Sequence, residues 1–174
     1  MKKQVFKLTL ASSLVSISVV LDIVFKVIIP NDNFGVPIYA IPLVIGSIIL
    51  GPIYGAMMGL VSDVAGFFLM PRGEFNLLFS LSAMAWGTLP GLFLNKHSQR
   101  MGYYIVLFFT HLVATTVNTI SLYFFVSKNY ALTMLPLRIA MLPINVLVVG
   151  FISHYVLKFI LEYGEFNTNL IEKK

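Results

Sequence analysis

Five polar side chains interrupt long apolar segments of this sequence: Asp22, Lys26, Asp63, Asn118 and Arg138. If those segments cross a membrane, an ionised group near the bilayer centre costs about 2.5–3.5 kcal/mol, so such residues usually face a protein interior or a cavity. There a carboxylate or an amide can hydrogen-bond a polar ligand, and an arginine can bind a carboxylate through two parallel bonds. The residue types therefore favour a polar ligand site between helices.

The elements that must position these residues are membrane helices. Of the 174 residues, 58% are hydrophobic and only 11% are charged, whereas soluble domains carry about 25% charged residues. Solid apolar runs indicate helices, because a lipid-exposed backbone must satisfy its own hydrogen bonds. The sequence predicts an all-α bundle of six transmembrane helices in a single domain, residues 1–174, with spans at about 8–29, 36–50, 53–70, 77–94, 103–126 and 135–161.

The second of these spans is the shortest. Its 15 residues (36–50) rise only about 22 Å, less than the hydrocarbon thickness. It must therefore be tilted, broken or shielded by its neighbours.

The placement of the 12 Lys and Arg residues predicts the orientation, since cytoplasmic loops are enriched in positive charge. With both termini in the cytoplasm, Arg72 and Lys128 fall in outer loops, and Lys26 and Arg138 fall inside spans. The others lie on the cytoplasmic side: Lys2, Lys3, Lys7, Lys96, Arg100, Lys158, Lys173 and Lys174. The N-terminal apolar run is too long for a signal peptide and is interpreted as an uncleaved first helix.

In this orientation the polar groups gather in the outer half of the bundle, which predicts a cavity open to the outside. Asp63 and Asn118 are expected about two turns below the outer ends of their helices, and Arg138 about one turn. The loop before the fourth helix adds further polar and aromatic groups at the same level. The predicted ligand-binding residues are Asp63, Arg72, Phe75, Asn76, Trp86, Asn118 and Arg138.

Structural interpretations compete with these assignments. Snorkelling from near a helix end to the membrane interface is an alternative to ligand contact for Lys26 and Arg138. Asp22 and Lys26, four residues apart, favour an ion pair over a ligand contact. A hydrogen bond to a neighbouring helix explains Asp63 as well as a ligand does, and Trp86 is more commonly a packing residue than a stacking platform. His111 is isolated in its span, which is typical of a hydrogen-bonded core or interface residue.

Small residues in the first helix predict a second surface. Ser12 and Ser16 place two small side chains on one helix face, and such faces let helices approach closely. Because they lie on the cytoplasmic side, away from the polar groups, they predict a docking surface separate from any ligand site.

Several functional classes are excluded or disfavoured. The chain has no cysteine, and it lacks HExxH, GxSxG, GxGxxG and P-loop motifs, so no catalytic residue, metal site or cofactor is predicted. Basic residues are scattered rather than clustered with aromatics, which argues against nucleic-acid binding. An autonomous ion-coupled carrier that uses Asp22 or Asp63 stays an alternative, and a membrane-embedded enzyme is the least favoured one.

Several segments resemble the S components of energy-coupling factor (ECF) vitamin transporters, and within them the folate-specific group. They are Gly51–Asp63 with its Gly-Pro turn, Pro71–Asn76, Phe79–Ala83, Gly87–Gly91 and Arg138–Pro143. The similarity spans most of the chain. One departure is that the first helix of the family commonly carries Ala-xxx-Ala, where Ser12 and Ser16 stand here.

The resemblance implies a substrate-binding subunit of the bacterial plasma membrane, without its own ATPase. It would capture folate outside and depend on a transmembrane coupling protein and two ATPase subunits for release inside; another small vitamin or precursor is the alternative ligand. For folate, Asp63 or Asn118 would pair with the pterin edge, and Trp86 or Phe75 would pack on a ring. The two carboxylates of the tail would bind Arg72 and Arg138.

Overall fold

A computed structural model describes residues 2–29, 35–71, 75–96 and 98–163, which form six α-helices and contain no strand. The helices are α1 (Lys2–Ile28), α2 (Ala40–Leu50), α3 (Pro52–Leu69), α4 (Leu77–Phe93), α5 (Arg100–Phe125) and α6 (Lys128–Tyr163). The predicted all-α class is confirmed for these residues.

The start of the sixth helix was predicted too late. The expected start was residue 135, but α6 begins at Lys128. Residues 128–134 contain neither Gly nor Pro, and the Tyr130 N–H donates to Ser127 Oγ at 3.4 Å at the start of the helix. Arg138 consequently lies about 15 Å along the axis from the first residue of α6, nearly three turns into the helix rather than one.

Helix α2 is the centre of the bundle. All of its 11 residues are buried, and it packs against α1, α3, α4 and α6. Its length is only about 16 Å, so it fills roughly half of a bilayer's hydrocarbon thickness. Of the alternatives for the short second span, shielding by neighbouring helices is the one that the structure shows.

The other helices expose large apolar side chains on their outer faces. Examples are Val5, Ile53, Phe93, Phe109 and Phe151, each more than half exposed. Four helices, α1, α3, α5 and α6, are long and apolar enough to cross a membrane, while α2 and α4 are shorter apolar helices. Such surfaces suit lipid rather than water, and the chain is a membrane protein.

Helices α3 and α4 pack with their backbones in contact. A Cβ on Gly55 would overlap the Gly87 carbonyl oxygen, and a Cβ on Gly59 would overlap the Ala83 carbonyl. A Cβ on Gly91 would lie 2.6 Å from Ser47 O of α2. Small residues therefore join α2, α3 and α4 into one closely packed unit.

A buried hydrogen-bond network joins α1 and α3 to the start of α2. Ser18 Oγ donates to Tyr39 O at 2.7 Å, and Ser62 Oγ lies 2.7 Å from Ser18 Oγ. Because the one hydroxyl hydrogen of Ser18 is directed at Tyr39 O, Ser62 is the donor in the second bond. The network holds the residues before α2 at a defined depth between α1 and α3.

Candidate ligand-binding cavity

A two-lobed cavity lies at one end of the bundle, where α1, α3 and α5 finish and α2, α4 and α6 begin. This end is called the cavity end. The smaller lobe has a volume of about 250 Å³ and the larger about 500 Å³; the larger lobe alone is within the range of small-molecule sites. The wall common to both lobes consists of Asp22, Lys26, Tyr39, Asn118 and Arg138.

The cavity exists because the central helix is short. Residues 35–39, which precede α2, line the smaller lobe. The central space between these residues and the cavity end of the bundle is therefore not filled by a helix. The first turn of α2 offers few free amides to this space. The Ala40 and Ile41 N–H groups donate to Pro37 O and Ile38 O, and Pro42 has no N–H.

The smaller lobe ends on a buried cluster of Trp86, His111 and Asn145. The Trp86 ring is 1% exposed and lies 5.3 Å from the His111 ring, centroid to centroid. Asn145 Nδ2 lies 3.0 Å from His111 Nε2. The expectation that His111 is a hydrogen-bonded core residue is confirmed, and most of the Trp86 surface is used in packing.

His111 and Asn145 were not among the predicted site residues. Each is the only residue of its helix in this cluster, on α5 and α6 respectively, so no spacing within either helix indicates the pair. A buried amide in an apolar run is a signal that could have identified Asn145, as it did for Asn118.

The larger lobe combines a carboxylate with aromatic rings. Ser80 Oγ of α4 donates to Asp63 Oδ2 of α3 at 2.7 Å, so Asp63 has a partner on a neighbouring helix. Phe67 and Phe75 line the same lobe with ring centroids 5.2 Å apart. Asn76 also lines it, and its Oδ1 caps α4 by accepting from the Leu78 N–H at 2.9 Å.

The common wall carries two cations in different surroundings. Lys26 Nζ lies 2.6 Å from Asp22 Oδ2, so the predicted ion pair is confirmed. Asp22 also packs on α3, since a Cβ on Gly66 would lie 2.9 Å from its Oδ2. Within the described ranges, Arg138 has no acidic partner.

The structure brings together the predicted site residues that it describes. Asp63, Phe75, Asn76, Trp86, Asn118 and Arg138 all line one lobe or both, whereas Arg72 lies outside the described residues. Their contact with a ligand stays a prediction.

Some buried polar atoms on the same walls have no hydrogen-bond partner among the described residues. They are Asn76 Nδ2 in the larger lobe, and His111 Nδ1 and Asn145 Oδ1 in the smaller lobe. Because buried polar groups are nearly always paired, these atoms are open to hydrogen bonds from water or from a polar ligand.

The serines of the predicted docking surface lie on an exposed face of α1. Ser12 and Ser16 are both exposed, and Ser16 Oγ donates to Ser12 O at 3.0 Å, so its hydroxyl is satisfied within the helix. The two serines lie near the middle of α1 rather than at the end opposite the cavity, with Ser16 about 9 Å and Ser12 about 15 Å before Asp22 along the helix axis. Neither serine lines a lobe of the cavity.

No metal centre accompanies the cavity in the described part of the chain, where no three His, Asp or Glu residues group together. Apolar outer faces and a polar cavity of ligand size define a membrane protein with an internal binding site. Residues 6–164 match the sequence model of the family described as "ECF transporter, substrate-specific component". The chain belongs to that family, which is one of transport components rather than enzymes.

A curated relative refines this placement. The folate transporter FolT of Clostridium novyi (strain NT) is 31% identical to this chain over 114 residues, which cover 63% of this chain and 66% of the relative. The match thus spans just under two thirds of that protein. It confirms the resemblance to folate-specific members seen in the sequence. No solved structure matches the chain.

Proposed function

We propose that this chain is the folate-binding S component of an ECF importer in the bacterial plasma membrane. One observation carries the proposal: in a member of this family, side chains from three helices (Asp63, Asn118 and Arg138) line a single cavity of ligand size. Six crossings with both termini in the cytoplasm would open the cavity end to the outside.

Folate matches the chemistry of the walls part by part. The pterin edge carries N–H groups that can donate hydrogen bonds to the Asp63 carboxylate or to the amide oxygen of Asn118. Flat rings suit the aromatic side chains of the two lobes, with Trp86 in one and Phe75 in the other. The glutamate tail carries two carboxylates, for which Arg138, and Arg72 in the preceding loop, are the favoured partners.

Energy for transport would come from other subunits. The sequence has no nucleotide-binding loop, so we infer that release depends on a transmembrane coupling protein and two ATPase subunits. The exposed face of Ser12 and Ser16 is the proposed docking surface, because it combines small side chains with an outward orientation and lines neither lobe of the cavity.

A binding titration tests the ligand. Trp86 is the single tryptophan of the chain and lines the cavity, so its fluorescence reports on binding there. We expect the purified protein to bind folate stoichiometrically and thiamin only weakly. If the protein bound thiamin tightly and did not bind folate, thiamin would replace folate as the proposed ligand, and the protein would still be an S component.

A transport assay tests the mechanism. Liposomes that contain this chain alone should not accumulate folate under a proton or sodium gradient, whereas addition of the coupling protein and ATPases with ATP should start uptake. Uptake by the chain alone would establish the ion-coupled carrier instead. The engagement of Asp22 with Lys26 and of Asp63 with Ser80 argues against that outcome.

A further inference from the structure

His111 and Asn145 form a buried polar unit that the assignments above do not use. Both line the smaller lobe, and their exposed fractions are 8% and 4%. They come from α5 and α6, and their side chains lie 3.0 Å apart at His111 Nε2 and Asn145 Nδ2.

The surroundings of the pair determine which atoms carry hydrogen. Asn145 Nδ2 also lies 3.4 Å from Gly35 O, and a carbonyl oxygen can only accept, so the amide nitrogen is correctly placed there. An amide nitrogen only donates. His111 Nε2 must therefore accept, which makes His111 an uncharged imidazole with its hydrogen on Nδ1.

This assignment leaves one donor and one acceptor for a ligand. The unsatisfied atoms are His111 Nδ1–H and Asn145 Oδ1, both buried without a partner among the described residues. The adjacent wall (Trp86, Ala114 and Met141) carries no charge, and the amides at the start of α2 are largely used internally. This end of the cavity therefore suits a neutral hydrogen-bonding group better than a carboxylate.

We propose that His111 and Asn145 are specificity-determining residues that bind an uncharged amide-type group of the ligand. His111 Nδ1–H donates to its carbonyl oxygen, and Asn145 Oδ1 accepts from its N–H. The assignment rests on the proposed function, because folate offers this chemistry twice: the lactam of the pterin ring and the amide that joins the benzoyl group to glutamate.

The test uses full-length protein and calorimetric titration with folate, a pterin and p-aminobenzoylglutamate. His111→Phe keeps a ring against Trp86 but removes the donor, and Asn145→Leu removes the acceptor at similar volume. His154→Phe is the matched control, since His154 packs on Tyr103 and lines neither lobe. Each cavity variant should weaken folate binding about 10-fold, the size of one lost buried hydrogen bond, and the control should leave it unchanged.

The fragments identify the group. A parallel loss for the pterin alone assigns the lactam, and a parallel loss for p-aminobenzoylglutamate alone assigns the amide; either result supports the proposal. Unchanged folate affinity in both variants overturns it while the proposed function stands. Failure of the wild-type chain to bind folate overturns both.

A second measurement covers variants that fail to fold. In wild-type protein with ¹⁵N-labelled histidine, His111 should show the Nδ1–H tautomer, and its Nδ1 resonance should shift on folate addition. An Nε2–H tautomer, or an Nδ1 resonance that folate does not move, overturns the proposal.

Discussion

Replacement of Arg138 by alanine tests how the cavity would bind an anion. Arg138 belongs to the wall common to both lobes and has no acidic partner among the described residues. It is only partly buried, so its removal should cost little packing in the core. The substitution should act on the ligand rather than on the fold.

The size of the effect follows from the bond that is lost. A hydrogen bond to a charged group contributes about 1.5–3 kcal/mol, and each 1.4 kcal/mol corresponds to about a factor of ten in Kd. We therefore expect Arg138→Ala to weaken folate about 10- to 150-fold. Pteroate, which lacks the glutamate, should lose less than about threefold. Arg138→Lys should fall between, because it keeps the charge but loses the planar fork.

Titration of Trp86 fluorescence with both ligands measures this difference. Arg100→Ala is the control, since Arg100 contacts Tyr155 at the opposite end of the bundle, and it should change neither affinity. Equal losses for folate and pteroate in Arg138→Ala would refute the assignment of Arg138 to the tail. An unchanged affinity for both would remove Arg138 from the site.

Three further substitutions address other parts of the molecule. Asp63→Asn should weaken folate and a free pterin alike, about 10-fold or more, and a loss confined to folate in calorimetry would argue against a pterin contact. Gly55→Val forces a side chain into the backbone of α4 and should lower Tm by about 2–12 °C. Gly102→Ala is the control and should leave Tm unchanged, because there is open space around its position. Equal melting curves for the two variants would contradict the packing argument. Ser16→Leu should reduce co-purification with the coupling protein severalfold and leave folate binding intact. Thr116→Leu on α5 is the control, because Thr116 is also exposed and its hydroxyl is also bonded within its own helix; it should reduce neither co-purification nor folate binding. Retained co-purification in Ser16→Leu would place the docking surface elsewhere.

Much of the fold could be predicted because lipid imposes strong local rules. Apolar runs separated by turn residues locate helices whatever their neighbours are, and four of the six helix starts (α2 to α5) fall within four residues of the predicted ones. Helix α1 begins at Lys2 rather than residue 8, and α6 at Lys128 rather than residue 135. The start of α6 was missed because residues 128–134 carry a lysine, an asparagine and a threonine that resemble a loop in composition. A helix end that leaves the hydrocarbon needs no apolar sequence.

The candidate site was partly predictable for a related reason. Asp63, Asn118 and Arg138 stand out because an ionised or amide side chain is costly in lipid, so their positions alone point to a shared interior. Trp86 shows the limit of this reasoning, since its type is compatible with both packing and stacking. Its 1% exposure comes from how α4 and α5 meet.

Composition and spacing act within single segments, so they were enough to predict that the helices lie in lipid, roughly where each helix runs, and at which level the polar groups gather. The enclosure of α2 by four neighbouring helices, and the position of the cavity beyond its first turn, became visible only in the folded structure. The same is true of the contact between His111 of α5 and Asn145 of α6. These facts depend on contacts between distant segments, and no local pattern encodes the distance between two helices that are far apart in the chain.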